Sequence, residues 1–247
     1  MLDDIKVILS HTTHPGNIGA AARALKTMGL KHLRLVNPTD FPSAEATRRA
    51  SRADDILANA EVYSSIEDAI ADCKLIIGTS ARSRTLPWPM LEPRALAEKI
   101  SQDTDKRPVA IMFGTENSGL TNEELQLCHY HVFIPTNPDY SSLNVASAIQ
   151  LIAYEMRLAA LNVESNSVEV NEELEEGEMP AAAKDVEQFY QHWQQVMANT
   201  GFFNPMKPRM IHMRFRRVFN KSQLTVSEIK LLRGFLASIK KFDPNDN

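Results

Sequence analysis

Short, continuously apolar runs alternate with helix-like patterns over the first 161 residues. Residues 5–10, 33–36, 75–78, 109–114 and 131–135 have the pattern of strands buried on both faces. Apolar residues at helical spacing occur between them, in 19–28, 66–71, 92–100 and 122–127. This alternation predicts an α/β fold, with a mostly parallel sheet and helices on both of its faces.

The next part of the chain changes in character. Residues 144–161 predict a long helix with a wide apolar arc, which we expect to be buried, in part against a second subunit. Residues 162–182 have few large apolar groups and predict an acidic flexible linker. Helical patterns at 183–199, 208–219 and 226–241 then predict a small helical extension. The predicted domains are therefore 1–161 and 183–247.

Composition excludes several classes of protein. Hydrophobic residues make up 43% of the 247-residue chain and charged residues 23%, as in ordinary globular proteins. No apolar run has the length of a membrane span, and the N-terminal residues lack the pattern of a signal peptide. Two cysteines are too few for a disulfide scaffold, so we expect a cytoplasmic protein without a membrane partner.

The net charge of −4 hides a strong asymmetry along the chain. Residues 162–187 hold nine acidic side chains and one lysine, whereas residues 188–247 hold ten basic and three acidic ones. A basic segment of this kind indicates an RNA, DNA or acidic-partner surface, or a helix face that only meets water. Arg214, Arg216 and Arg217 lie beside Phe215 and Phe219, so these aromatics either serve that surface or pack on a core.

Small, polar loops follow four of the predicted strands. In an open parallel sheet, ligands bind beyond the carboxyl ends of the strands, so these loops predict a binding rim. Neither a dinucleotide fingerprint nor a phosphate-binding loop is present. Ser141 and Ser142 lack the nucleophile-elbow motif of acyl hydrolases. His11 and His14 have no neighbouring cysteine or carboxylate cluster, so we expect no metal.

Three of these segments together resemble the motifs of the SpoU branch of the SPOUT methyltransferases. The first runs from Asn17 to Arg23 with the pattern N-x-G-x-x-x-R, and the others are IMFGTENSGL at 111–120 and IPTNPDYSSLNVASA at 134–148. Together with the basic extension, the trio is most similar to the TrmJ type of tRNA methyltransferase. The resemblance implies S-adenosyl-L-methionine as cofactor, tRNA as substrate, a C-terminal trefoil knot in the sheet domain, and a homodimer. It also implies methylation of the ribose 2′-hydroxyl of cytidine or uridine at nucleotide 32 of the anticodon loop.

The resemblance also assigns residues to the site. It places the cofactor near the knot loops, at Thr79, Ser80, Ala81, Gly114, Ile134, Ser141, Ser142 and Leu143. It implies a catalytic set of Arg23, Asn17, Glu116, Ser142 and Asn144. Arg23, Arg82 and Arg84, with Arg214, Arg216 and Arg217 of the extension, are the candidate RNA contacts.

Each catalytic candidate has more than one possible role. Arg23 either faces solvent or holds a phosphate or a developing alkoxide, because its guanidinium stays protonated and is a poor base. Asn17 caps the helix that follows, positions Arg23 and the ribose, or does both. Glu116 is either a solvent-facing carboxylate or orders the loops by pairing with Arg23. Ser142 and Asn144 either cap the 145–161 helix or also contact cofactor or substrate.

Three functions compete at this point. The first is a tRNA 2′-O-methyltransferase, and the second is a noncatalytic RNA-binding protein that retains the fold. The third is a nucleotide-dependent enzyme with an ordinary doubly wound sheet, which the missing phosphate fingerprint disfavours.

Overall fold

The computed structural model describes residues 1–80, 89–166, 176–202 and 211–239. The chain forms two compact units, Met1–Asn171 and Glu172–Asn247.

The first unit is built on a seven-stranded, entirely parallel sheet. Its strands are β1 (Ile5–Ser10), β2 (His32–Val36), β3 (Glu61–Tyr63), β4 (Leu75–Thr79), β5 (Met90–Leu91), β6 (Val109–Phe113) and β7 (Tyr130–Val132). Their order across the sheet is β3-β2-β1-β6-β4-β7-β5. All five residues of β6 are buried, which requires cover on both faces of the sheet. The predicted α/β class is therefore confirmed, while the trefoil knot stays a prediction.

Helices separate the strands of this unit. They are α1 (Pro15–Met28), α2 (Ala44–Ala50), α3 (Asp54–Ala58), α4 (Ile66–Ile70), α5 (Pro93–Gln102), α6 (Asn122–Gln126) and α7 (Val145–Asn166). The main apolar core lies between the sheet and helices that include α1, α5 and α7, and Ile18, Leu96 and Met156 are fully buried in it. Gly29 ends α1 in the left-handed conformation, which glycine adopts without steric cost.

Several elements differ from the sequence-based prediction. Helix α1 begins at Pro15, four residues earlier than predicted, because Pro15 suits a first helical turn and His14 caps it. Helix α7 continues to Asn166, beyond the predicted end at 161. The strands β3 and β5 and the helices α2 and α3 were not predicted, because they are short and lack a clear apolar period.

In its described residues, the second unit has three α-helices, α8 (Ala183–Asn199), α9 (Ile211–Ser222) and α10 (Val226–Ile239). They close around a core of their own that includes Phe189, Tyr190 and Leu236. Part of the predicted linker belongs to this unit: the backbone N–H of Ala181 donates to Leu224 at 3.0 Å, and Ala181 is buried. Separate domains at 1–161 and 183–247, with a flexible connection between them, stay a prediction.

Candidate functional site

The carboxyl ends of four adjacent strands define the site. Strands β1, β6, β4 and β7 are neighbours and run parallel, so the loops that follow them emerge at one edge of the sheet. The segments that follow β1, β6 and β7 carry the three motifs of the sequence. The structure therefore brings together residues that are more than 120 positions apart in the chain.

A chain of hydrogen bonds joins the three motifs. Asn17 of the first motif donates through Nδ2 to Oε1 of Glu116 in the second, at 2.8 Å. The Nδ2 of Asn144 in the third motif donates to Oδ1 of Asn17 at 3.0 Å. The Oδ1 of Asn144 in turn accepts from the backbone N–H of Ala146 at 2.9 Å. Both amide side chains therefore have fixed orientations at the edge of the sheet.

The structure shows which side chains cap α1 and α7. The Nδ1 atom of His14 accepts from the backbone N–H of Gly16 at 3.0 Å, so His14 and not Asn17 caps α1. At the start of α7, the cap is Asn144 rather than Ser142. Asn17 is thus free of a capping role, and its side chain serves the connection between motifs.

Glu116 anchors the loop after β1. One carboxylate oxygen, Oε2, accepts from the hydroxyl of Thr13 at 3.0 Å and from the backbone N–H of Thr13 at 3.3 Å. Arg23 is not among the partners of Glu116 in the described residues, so the expected ion pair between them is wrong. Partial burial alone raises the pKa of Glu116, but the hydrogen bonds from Asn17 and Thr13 outweigh it and hold the pKa below its ordinary value. The carboxylate is therefore ionised at neutral pH.

Arg23 lies on the exposed side of α1, two turns after the start of the helix. Its backbone carbonyl accepts from the hydroxyl of Thr27 at 2.8 Å. None of the ion pairs within the described residues involves its guanidinium. The side chain is consequently available to an anionic ligand, and its planar fork suits a phosphate or an alkoxide.

The loop after β6 depends on a glycine. A Cβ atom at Gly114 would lie 2.0 Å from the backbone carbon of Gly119, because the two ends of this loop cross closely. Nearby, the hydroxyl of Thr79 donates to the carbonyl of Met112 at 2.9 Å, and the N–H of Ser80 donates to that of Val132 at 3.0 Å. Gly114, Thr79 and Ser80 therefore fix the ends of β4 and β6 relative to one another and to β7.

The other predicted cofactor residues differ in their exposure. Ile134 is half-buried at the end of β7, whereas Ser141, Ser142 and Leu143 are exposed in the loop that leads to α7. Tyr140 in the same loop is 79% exposed. Ala81, Arg82 and Arg84 lie outside the described residues. The described part of the predicted cofactor set thus lies on the loops of one sheet edge.

A second polar group lies at this edge, and no motif of the sequence predicted it. The Oγ of Ser10 lies 2.8 Å from Nδ1 of His11 and donates a short hydrogen bond to Glu124. His11 and Glu124 therefore meet at the hydroxyl of Ser10, and Nδ1 of His11 lies 4.0 Å from Oε1 of Glu124. The backbone of His11 is left-handed, with φ of 52°.

The three predicted arginine contacts of the second unit have different environments. Arg214 is exposed on α9. Arg216 is largely buried: it pairs with both carboxylate oxygens of Glu187 at 2.8 Å and lies over the ring of Tyr190. Arg216 therefore has a structural role within this unit, and its contact with RNA stays a prediction. Arg217 is half-buried.

The aromatic side chains of α9 pack within the second unit. Phe219 makes an edge contact with Phe189 at a centroid distance of 5.0 Å, and Phe215 contacts Trp193 at the same distance. Of the two alternatives for these aromatics, the structure thus supports a packed core. Any RNA contact of this unit would depend on its exposed cations.

The described residues lack a metal-binding cluster and a membrane-spanning helix. They contain no group of three or more His, Cys, Asp or Glu side chains arranged to hold a metal ion. Within them, no helix combines the length and apolar character that crossing a membrane requires.

These observations define a domain of the parallel α/β class, with a candidate site at the carboxyl edge of its sheet. The chain belongs to the SpoU rRNA Methylase family, whose model matches residues 4–154. A second model, of the C-terminal domain of the tRNA methyltransferase TrmJ, matches residues 184–246.

Relatives and solved structures agree with this membership. The chain is 48% identical to the tRNA (cytidine/uridine-2′-O-)-methyltransferase TrmJ of Sodalis glossinidius, over 97% of this chain and 92% of the relative. The crystal structure of TrmJ from Z. mobilis matches with a TM-score of 0.82 and 31% identity, over 95% of this chain and 98% of that one. AviRb from Streptomyces viridochromogenes, crystallised with AdoMet, matches at 23% identity and a TM-score of 0.50, covering 65% of this chain and 62% of that one, which indicates a shared fold.

Proposed function

We propose that this protein is a tRNA methyltransferase that uses S-adenosyl-L-methionine to methylate a ribose 2′-hydroxyl. We further propose that its target is cytidine or uridine at nucleotide 32 of the anticodon loop. The hydrogen-bonded chain Glu116–Asn17–Asn144 carries this proposal, because it couples the three motifs into one site. Family membership and the activity named for the 47–48% identical relatives support the methyl transfer and the tRNA substrate.

The loops at the sheet edge fit the proposed cofactor. Residues 140–144 are exposed at this edge of the sheet. Leu143 and Tyr140 offer apolar and aromatic surface in the same loop, which suits an adenine ring. We assign the cofactor to this loop, to Gly114 and to the Thr79–Ser80 strand end. When bound, the sulfonium group supplies a methyl group that is already activated for transfer.

The residues of this chain then align the RNA and stabilise charge. Arg23 holds the substrate by its phosphate or stabilises the oxygen of the ribose hydroxyl as its proton leaves. Glu116 and Asn17 keep the loop after β1 and the start of α7 in register, so that the first and third motifs face the same ligand. Most of the rate enhancement comes from this alignment, since the methyl donor needs no further activation.

A positioning role for Glu116 predicts a measurable defect. We expect Glu116→Gln to lower kcat/KM for tRNA about tenfold or more, because an amide cannot accept from both Thr13 and Asn17 as the carboxylate does. The exposed Glu123 on α6 provides the matched control, and Glu123→Gln should retain activity within about twofold. Steady-state kinetics of both variants with one tRNA transcript make the comparison. Equal kinetics for the two variants would contradict the positioning role.

The proposed assembly is a homodimer through α7. Large apolar residues on this helix, Leu151, Tyr154 and Leu161, are each about 44–47% exposed in the single chain. Exposed apolar surface of this kind is typical of protein interfaces. We expect sedimentation at micromolar concentration to give a dimer, and Tyr154→Glu to shift it to a monomer with lower activity. A wild-type protein that is monomeric and fully active would contradict this proposal. We place the activity in the cytoplasm, where its substrate tRNA is found.

The direct test of the proposed function is the transfer of labelled methyl groups. Incubation with S-adenosyl-L-methionine and total tRNA should label the tRNA, and nuclease digestion should yield the label in 2′-O-methylated nucleotides. A protein that binds tRNA but transfers no methyl group would instead support the noncatalytic alternative.

A further inference from the structure

Helix α2 packs directly on α1 at a glycine. A Cβ atom at Gly19 would lie 2.1 Å from the carbonyl oxygen of Ala46 and 2.8 Å from the Cβ of Arg49. Only glycine therefore allows the two helices to approach this closely. The approach sets Arg49 of α2 immediately beside α1.

Arg23 lies on the same face of α1 as Gly19, and we call this face the stripe. Gly19, Arg23 and Lys26 follow at helical spacings of four and three, so they share one face of α1. At the far end of this stripe, Nζ of Lys26 donates to the carbonyl of Arg52 at 2.9 Å and to Asp55 at 2.8 Å. Arg23 thus lies on α1 between the contact with Arg49 and the contact with Arg52.

The arginines around this stripe outnumber the carboxylates that pair with them. Arg48 and Arg49 are 66% and 57% exposed, and both pair with the single carboxylate of Glu45. Arg52 is exposed and, like Arg23, takes part in no ion pair within the described residues. Asp55 pairs with Lys26. A cationic surface therefore extends from Arg23 across α2.

We infer that Arg48, Arg49 and Arg52 bind the phosphates of the RNA strand whose nucleotide reaches Arg23. This inference rests on the proposed function, in which the substrate ribose comes to Arg23. Nucleotides on either side of that ribose carry phosphates along the strand, and guanidinium groups bind phosphates through paired hydrogen bonds. The surface is independent of base identity, so it sets the affinity and the path of the strand rather than the choice of nucleotide.

A purely structural role of these arginines, within α2, would give a different result. If Arg48 and Arg49 only stabilise α2 through Glu45, the loss of Glu45 affects stability and leaves RNA affinity unchanged. If they bind phosphates, Glu45 competes with the RNA for them. Replacement of Glu45 with glutamine then strengthens RNA binding. If the arginines bind phosphates, the Kd for RNA falls in the Glu45 variant and rises in the Arg52 variant. These opposite changes in Kd separate the two roles.

The experiment measures binding of an unmodified tRNA transcript by fluorescence anisotropy over a series of KCl concentrations, using the full chain. For Arg52→Gln we expect Kd to rise about 3–10-fold and the slope of log Kd against log salt to fall by about 0.7–0.9, the loss of one phosphate contact. For the variant with Arg48, Arg49 and Arg52 all changed to glutamine, Kd should rise about 30-fold or more. For Glu45→Gln, Kd should fall about 2–5-fold.

Lys31→Gln is the matched control. Lys31 is 65% exposed and pairs with Asp3, and it precedes β2, so it lies at the opposite edge of the sheet from the motif loops. The Kd of Lys31→Gln for tRNA should stay at the wild-type value. Arg52 forms no ion pair within the described residues, so Arg52→Gln breaks none. This single variant therefore tests the surface even if the triple variant is unstable.

Each outcome has a distinct meaning. Unchanged Kd and salt slope for Arg52→Gln and Glu45→Gln, or an equal loss for Lys31→Gln, would overturn the inferred surface. Methyl transfer by the wild-type protein is measured in parallel on the same transcript. Absence of transfer together with weakened binding by Arg52→Gln would reject the proposed function and retain the RNA surface.

Discussion

Replacing Arg23 with alanine should lower kcat for tRNA methylation about 10²–10³-fold, the size of effect seen when one charge-stabilising donor is removed from an active site. Affinity for S-adenosyl-L-methionine should stay within about twofold, because Arg23 lies on α1 whereas the assigned cofactor residues lie on the loops after β4, β6 and β7. Single-turnover kinetics and calorimetric titration of the cofactor measure the two quantities separately.

Lysine at this position tests the geometry of the charge. Arg23→Lys retains the positive charge but not the planar fork with five donors, so we expect activity above that of the alanine variant and well below wild type. Full activity of Arg23→Lys would mean that charge alone suffices. Near-normal turnover of Arg23→Ala would remove Arg23 from the catalytic set.

Removal of the second unit should separate folding from tRNA affinity. A chain that ends at Asn171 keeps the whole first unit, including α7 to Asn166. We expect it to fold and bind cofactor, because the second unit has its own core. Its Kd for tRNA should rise about 10–100-fold and its salt dependence should flatten, since cations such as Arg214, Lys221, Lys230 and Arg233 are lost.

Two neighbouring arginines provide a matched pair within the full chain. Arg214→Gln removes an exposed charge, so it should weaken tRNA binding a few-fold and leave the melting temperature unchanged. Arg216→Gln breaks the pair with Glu187 on a largely buried side chain, so it should lower the melting temperature by several degrees. Unchanged tRNA affinity and salt slope in the shortened chain would contradict an RNA role for the second unit.

The fold was largely predictable where burial leaves a periodic signal. The strands β1, β2, β4 and β6 are long enough to show as apolar runs, and the 22-residue helix α7 is the longest of the described helices. Helix α2 gave no such signal, because its buried residues are Ala46 and Ala50 and its contact with α1 depends on Gly19. The edge strand β3 is exposed or half-buried throughout, so it lacks the apolar pattern of a buried strand.

The residues of the site were predictable but their partners were not. The motifs pointed to Asn17, Glu116 and Asn144, yet the hydrogen bonds between them connect positions 99 and 127 residues apart in sequence. Such pairs follow from the order of strands in the sheet, which a single sequence does not specify. In the same way, the structural partner of Arg216 was not predicted, because charge patterning does not show that Glu187 lies within reach.

Methyl transfer to a tRNA with one altered ribose is the sharpest test of 2′-O-methylation at nucleotide 32. A transcript with 2′-deoxycytidine at nucleotide 32 lacks only the proposed acceptor oxygen, while a transcript with the same change at another loop nucleotide retains it. With labelled S-adenosyl-L-methionine, we expect the first transcript to accept no methyl group and the second to accept one per molecule. Equal labelling of both transcripts would contradict 2′-O-methylation at nucleotide 32.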